Sequence, residues 1–308
     1  MKTNNNRNNA STFVLGIIPF CFRASSYTER SNHKIVWILC LCVIVLVCVY
    51  YYTSKYSDNK SHQQENFDIV PSIDFYVITI GNPTRETNIQ TQIEQQLEIM
   101  RGNHNKADYF DFTIRKVDGF IGKTLDLDAL IQQNILFPGI YEDMDPKWKH
   151  ITTSFNENME NRKNEVGCYL SHYKVYEMIR DQGNPQGYSV IFEDDFTLDP
   201  QFMNILDETL IKMGDTDFDM LFLGIIGDNG EQILDNVYRT TGVSWCAHGY
   251  LVNNRHIEKI VEKMRYINNI LDVQIFKKAN RGELNVLRLD PTIVQQGELG
   301  TNIRNHSV

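Results

Sequence analysis

At 308 residues the chain has the length of one large or two modest domains, and its 6 cysteines and 18 glycines exclude a disulfide scaffold and a collagen-like repeat. The balance of 30 Lys and Arg against 39 Asp and Glu gives a net charge of −9. No basic patch offsets it, so a nucleic-acid partner is not expected.

The mean hydropathy of −0.35 conceals one segment. Residues 1–34 open on an Asn-rich run and read as a disordered tail. Ile35 to Tyr52 reads IVWILCLCVIVLVCVYYY, 18 residues without a charge, Gly or Pro. As a helix it approaches the roughly 30 Å thickness of a bilayer's hydrocarbon core. Trp37 and Tyr50, Tyr51 and Tyr52 sit where amphipathic aromatics line membrane interfaces. The long leading segment, and the lack of a small-x-small site after the tyrosines, oppose a cleavable signal peptide. Lys2, Arg7, Arg23, Arg30 and Lys34 against Glu29 alone keep the N-terminus cytoplasmic by the positive-inside rule. The expectation is a type II signal anchor over 35–52, with the remainder lumenal. Asn59-Lys60-Ser61 and Asn305-His306-Ser307 are glycosylation sequons on that side. Only Cys168 and Cys246 lie beyond the anchor, as two buried thiols or one disulfide.

Residues 53–72 are polar and aperiodic, which suits a stem, and 73–308 form the expected catalytic domain. Phe75–Ile80 reads as a buried strand followed by a turn, and Ile89, Ile93, Leu97 and Met100 recur at helical spacing. A second strand is expected over 110–117, ending in Asp118-Gly119. Val166, Tyr169, Leu170, Tyr173 and Tyr176 then stripe a helix. Tyr188–Phe192 is a strand, Phe202–Met213 a helix, Met220–Ile225 and Cys246–Val252 strands, and His256–Met264 a helix. This alternation predicts an α/β fold whose mostly parallel sheet carries helices on both faces. P-loop and GxGxxG signatures are absent.

The most informative cluster is Glu193-Asp194-Asp195, at the C-terminal end of the strand SVIF, where open α/β sheets hold ligands. Three neighbouring carboxylates raise one another's pKa unless a cation compensates, and hard oxygen ligands suit Mg²⁺ or Mn²⁺ bridging a diphosphate. The alternative is a turn of solvated acids ahead of the next helix. His172, on a striped helix, reads more readily as a satisfied structural histidine than as a ligand contact. His248 in CAHGYLV precedes a glycine that permits close approach of a ligand. Neither HExxH nor a nucleophile elbow is present, so zinc-protease and serine-hydrolase readings have no support.

Taken in order, VITI, VDG, EVGCYLSHYKVY, VIFEDDFTLD, DMLFLG, CAHGYLVNNRHIEKIV, LDVQIF and LDPTIVQQGELGTNI resemble glycosyltransferase family 25 over about residues 74–304. That family includes lipooligosaccharide and procollagen galactosyltransferases. The resemblance implies a GT-A-like nucleotide-sugar fold, a UDP-sugar donor (UDP-galactose, with UDP-glucose as rival) and metal-assisted, inverting transfer to a hydroxyl of a glycan or hydroxylysine-containing protein. It implies that Asp118 and Gly119 lie near the nucleotide, and that Ser171, His172, Asp194, His248, Tyr250 and Gln274 contact donor or acceptor. Glu193 and Asp195 would be ligands of Mn²⁺ or Mg²⁺. Asp272 is the candidate base, with Glu165 and Asp194 as alternatives. The family's first strand ends in an Asn-Leu-x-Arg pattern, against Thr79-Ile80-Gly81-Asn82 here. In a eukaryotic or viral host the compartment implied is the ER or Golgi lumen, and in a bacterium the periplasm. A catalytically silent binding protein and a two-carboxylate glycoside hydrolase are the competing readings.

Overall fold

The computed structural model of the chain describes residues 72–102, 114–139, 159–182, 184–227, 230–242 and 244–297. The tail, the 35–52 segment, nearly all of the stem, both sequons and the first part of the second expected strand lie outside them. No helix among the described residues is long and apolar enough to cross a membrane.

In chain order the elements are β1 (Ile73–Thr79), α1 (Pro83–Gly102), β2 (Ile114–Asp118), α2 (Leu127–Gln132), α3 (Met159–Gln182), β3 (Tyr188–Glu193), β4 (Phe196–Leu198) and α4 (Phe202–Met213). There follow β5 (Met220–Ile226), β6 (Glu231–Leu234), β7 (Val237–Arg239), β8 (Trp245–Asn253), α5 (Ile257–Met264), α6 (Leu271–Asn280), β9 (Val286–Leu289) and β10 (Val294–Gln296).

One eight-stranded sheet runs in the order β2-β1-β3-β8-β5-β9-β7-β6, and β4 pairs with β10 in a separate ribbon. β1 is parallel to β2 and β3, and β5 to β9, while β8 is antiparallel to both β3 and β5. β7 is antiparallel to β9 and β6. Six strands therefore share a direction, and β8 and β7 oppose it. Period and composition announce a strand without its direction, which is why Cys246–Val252 reads as a strand but not as a reversed one.

Two apolar clusters sandwich the sheet. On one face Tyr76, Ile191, Phe222 and Tyr250 pack with Val166, Tyr169 and Val175 of α3, Ile260 of α5 and Phe276 of α6. On the other, Phe75, Phe192 and Leu221 pack with Ile89 of α1 and Phe202 and Leu206 of α4. The strand residues alternate between the two, as period-2 side-chain geometry requires.

The crossovers set the site. From β1 the chain passes through α1 to β2 on one side, then through α2 and α3 to β3 on the other. The strand order thus reverses between β1 and β3, and ligands of open α/β sheets bind outside the C-terminal strand ends at such a point. Register brings Thr79 beside Asp118 and Ile78 beside Glu193 there. β8, running the other way, begins at this edge, with Gly249 opposite Phe192.

Candidate active site

Two of the three acids after β3, Asp194 and Asp195, meet an arginine from the start of α1. Asn82 caps α1, its Oδ1 accepting the backbone N–H of Thr84 at 3.0 Å and of Arg85 at 3.4 Å, and Pro83 follows as the first helical residue. This start delivers Arg85, 5% exposed, into the crevice. Its guanidinium forms an ion pair with Asp194 and lies 3.6 Å from Asp195 Oδ2. Asp194 Oδ2 also accepts the Ile80 N–H at 3.4 Å. The family pattern read from Asn82, as Asn82-Pro83-Thr84-Arg85, ends on this arginine. The departure in that block therefore reduces to Pro for Leu.

Asp195 is buried, and Gln296 Nε2 of β10 donates to its Oδ2 at 3.2 Å. Its Oδ1 is buried with no hydrogen-bond partner among the described residues. Burial, reinforced by the Glu193 charge and only partly opposed by Gln296 and Arg85, pushes the Asp195 pKa up to about 6. A buried carboxylate oxygen without a donor fits a hard cation, which would supply the missing ligand contact and restore the charged form.

Glu193 turns to different partners. Its Oε1 lies 3.2 Å from His172 Nε2 and accepts from the Cys168 thiol at 3.5 Å, both on α3. His172 Nδ1 lies 2.8 Å from the Tyr250 hydroxyl, which is 2.6 Å from that of Tyr176. His172, Tyr250 and Tyr176 are all fully buried. Burial alone would raise the Glu193 pKa, but the His172 hydrogen bond and the His172 and His248 charges together hold it below the usual value. Burial first, then Glu193, pushes the Cys168 thiol well up.

The third wall comes from β8 and α6. His248 is buried, with Nε2 3.3 Å from the Val294 carbonyl oxygen and Nδ1 without a hydrogen-bond partner among the described residues. Burial depresses its pKa against the opposing pull of Val294 and Glu193. Cys246 adopts φ +77°, a conformation non-glycine residues rarely take, and Asp272 Oδ2 accepts its N–H at 2.9 Å. The other Asp272 oxygen accepts the Val273 N–H at 2.8 Å. Asp272 stands near enough to Cys168 for its charge to help raise that thiol. Cys168 and Cys246 are not joined in a disulfide.

The expected residues therefore divide. Asp118, Gly119, Glu193, Asp194, Asp195, His248 and Asp272 gather at the strand-end edge, while Ser171, Tyr250 and Gln274 stand behind it. Ser171 Oγ accepts the Phe120 N–H at 2.8 Å and donates to the Gly167 carbonyl at 2.7 Å, fixing the loop after β2. Gln274 Nε2 donates to the Tyr169 hydroxyl at 2.6 Å and the Tyr266 carbonyl at 2.8 Å, while its Oε1 accepts the Asn268 and Asn269 N–H groups. Its whole hydrogen-bonding capacity goes to anchoring α6. Glu165, an alternative base, is buried on α3. Exposed apolar side chains flank the crevice after β1 and β2, namely Ile80, Phe120 and Ile121.

The sequence model of glycosyltransferase family 25 (LPS biosynthesis protein) matches residues 72–275. Procollagen galactosyltransferase 1-A of Xenopus laevis is 26% identical over 173 residues, which is 52% of this chain and 26% of that protein. Inactive glycosyltransferase 25 family member 3 of Mus musculus is 30% identical over 117 residues, 37% of this chain and 17% of that protein. The alignments thus span about a quarter or less of these relatives' lengths. Among solved structures, apo UDP-glucose pyrophosphorylase superposes with a TM-score of 0.31 at 11% identity, covering 70% of this chain and 90% of that one. The family match runs from the residue before β1 into α6 and takes in Arg85, the acidic triplet, His248 and Asp272, and on it the chain belongs to glycosyltransferase family 25.

Proposed function

We propose that the chain is an active, membrane-anchored hexosyltransferase that moves galactose from UDP-galactose, with inversion, to a hydroxyl of a glycan or a hydroxylysine-containing protein. The observation that carries this reading is the crevice at the β1/β3 reversal, where Asp195 offers a buried oxygen without a hydrogen-bond partner among the described residues. Asp195 would hold a Mn²⁺ or Mg²⁺ ion. When bound, that cation offsets the charge that builds on a diphosphate leaving group. Arg85 pairs with Asp194 and holds it in place, so the loop after β3 need not reorganise when an anion arrives. Ile80, Phe120 and Ile121 give a nucleobase an apolar surface to lie on. Asp272, held by two backbone N–H groups, would accept the acceptor hydroxyl's proton. Residues 35–52 would hold the domain to a lumenal membrane face.

A second reading has one observation in its favour: Arg85 already lies against two of the three acids, which suits a silent binding protein that needs no cation. UDP release by the purified full chain in detergent, against a panel of UDP-sugars with Mn²⁺, Mg²⁺ or chelator, separates the two. Metal-dependent release from one sugar is expected. Asp272→Asn should keep UDP binding while transfer falls at least about 100-fold. No release with any sugar or acceptor would leave the silent reading.

A further inference from the structure

The geometry points to a second metal centre, for a zinc-class transition metal, formed by Cys168, His172 and Glu193 and separate from the cation position at Asp195. The donor atoms of the three residues all lie within 4.8 Å of one another. A tetrahedral zinc with bonds of about 2.3 Å to sulfur and about 2.0 Å to nitrogen and oxygen requires ligand–ligand edges of about 3.3–3.6 Å. The two separations that involve Glu193 Oε1, 3.2 Å to His172 Nε2 and 3.5 Å to Cys168 Sγ, are those edges. Cys168 and His172 stand four residues apart on α3, so both project from one face of the helix toward the end of β3.

The surroundings complete the arrangement. Ligating histidines are oriented by a hydrogen bond at the other ring nitrogen, and His172 Nδ1 has one, to Tyr250, itself bonded to Tyr176. In the Nε2–H tautomer, His172 donates to Glu193 and its Nδ1 accepts from the Tyr250 hydroxyl. On metallation the proton sits on Nδ1 and donates to Tyr250, whose hydroxyl turns to Tyr176. The thiol proton leaves to solvent, one per ion bound. Two positive charges then meet one thiolate and one carboxylate, so the buried site is neutral. Three protein ligands leave a fourth position. The Glu193 side chain, 21% exposed, marks where solvent or a substrate oxygen reaches it. A thiolate and an imidazole select zinc-class ions over Mg²⁺ or Mn²⁺, whereas the oxygen donor of Asp195 does the reverse.

The test uses Zn²⁺ and its spectroscopic substitute Co²⁺ on the purified full chain without sugar donor, so that it does not depend on transferase activity. Co²⁺ should give a thiolate-to-metal charge-transfer band in the near ultraviolet, and Zn²⁺ should abolish it. Cys168→Ser should remove the band and weaken Zn²⁺ binding at least about 100-fold, Tyr250→Phe should weaken it about 10–100-fold, and Asp195→Asn should leave the band in place. No band in the wild type, or a band undiminished in Cys168→Ser, overturns the assignment. Should the variant fail to fold, zinc-edge X-ray absorption of the wild type decides. One sulfur among nitrogen and oxygen ligands is expected, and a shell with none, or with two or more, overturns the site.

Discussion

At the scale of single residues, Arg85 decides whether the crevice can exist. Asp194 and Asp195 are 4% and 3% exposed, and removing two carboxylates from water is tolerable only beside a compensating charge. Arg85→Ala leaves Asp194 buried without it, and should lower unfolding free energy by about 3–5 kcal/mol in chemical denaturation. Arg85→Lys should recover part of that loss. A change under about 1 kcal/mol would mean that the carboxylates are stabilised from elsewhere.

His248 adds a pH signature. Its pKa is depressed in the fold, so the unfolded chain takes up the proton first as pH falls through about 6.5, and stability is lost on the acid side of that value. Asp195, whose pKa is raised, works in the opposite sense between about pH 4 and its folded value of about 6. The informative quantity is therefore the difference between wild type and His248→Gln. Below pH 6.5 the wild type should lose up to about 1.4 kcal/mol per pH unit more than the variant. Parallel curves would show that His248 titrates alike in both states.

The candidate site was only partly legible from such residues. Glu193, Asp194 and Asp195 were visible because three acids after an apolar run are unusual. Arg85 was not, because an arginine in a helix's first turn is ordinary, and its value depends on what lies 109 positions further on. Ser171 and Gln274 belong to recognisable blocks, but motif membership does not tell a side chain that meets a ligand from one that holds a loop.

At the scale of elements, α3 carries the design. It brings Cys168 and His172 to Glu193 and packs so closely on the turn at Gly122–Thr124 that Gly167 has no room for a side chain. A Cβ there would stand 2.9 Å from the Phe120 carbonyl oxygen and 3.1 Å from Gly122 backbone atoms. Gly→Ala inside a helix ordinarily gains about 1 kcal/mol. Here overpacking against backbone, at about 1–3 kcal/mol, outweighs it. Gly167→Ala should therefore lower the denaturation midpoint, and a stabilised variant would contradict the close packing of α3 on that turn.

The long elements were the legible ones. β1, β3, α4, β5 and β8 each present a run or a stripe, and the structure has them within a few residues of the expected bounds, while α3 extends well past its stripe at both ends. α2, α6, β4, β6, β7, β9 and β10 were not anticipated. Most are three to six residues long, too short for a period to declare itself. α6 is longer, at ten residues, but its first half is buried almost throughout, with no polar face to mark a helix.

For the whole molecule, the sheet order matters more than any strand. β1 joins α1 and β2 on one side, α3 and β3 on the other, and the crevice between them collects Arg85, the acidic triplet and the exposed apolar rim. β8 enters between β3 and β5 in reverse, so its beginning, with Cys246 and His248, reaches the same edge. Residues more than a hundred positions apart meet because the crossovers change direction once.

The central claim is that this edge binds a nucleoside diphosphate through a cation at Asp195, and calorimetric titration of UDP into the full chain tests it most directly. With Mn²⁺ the wild type should bind UDP. Asp195→Ala should lose at least about 100-fold in affinity, together with its dependence on the metal. A wild type that does not bind UDP, or a variant that binds it equally well, would contradict the account.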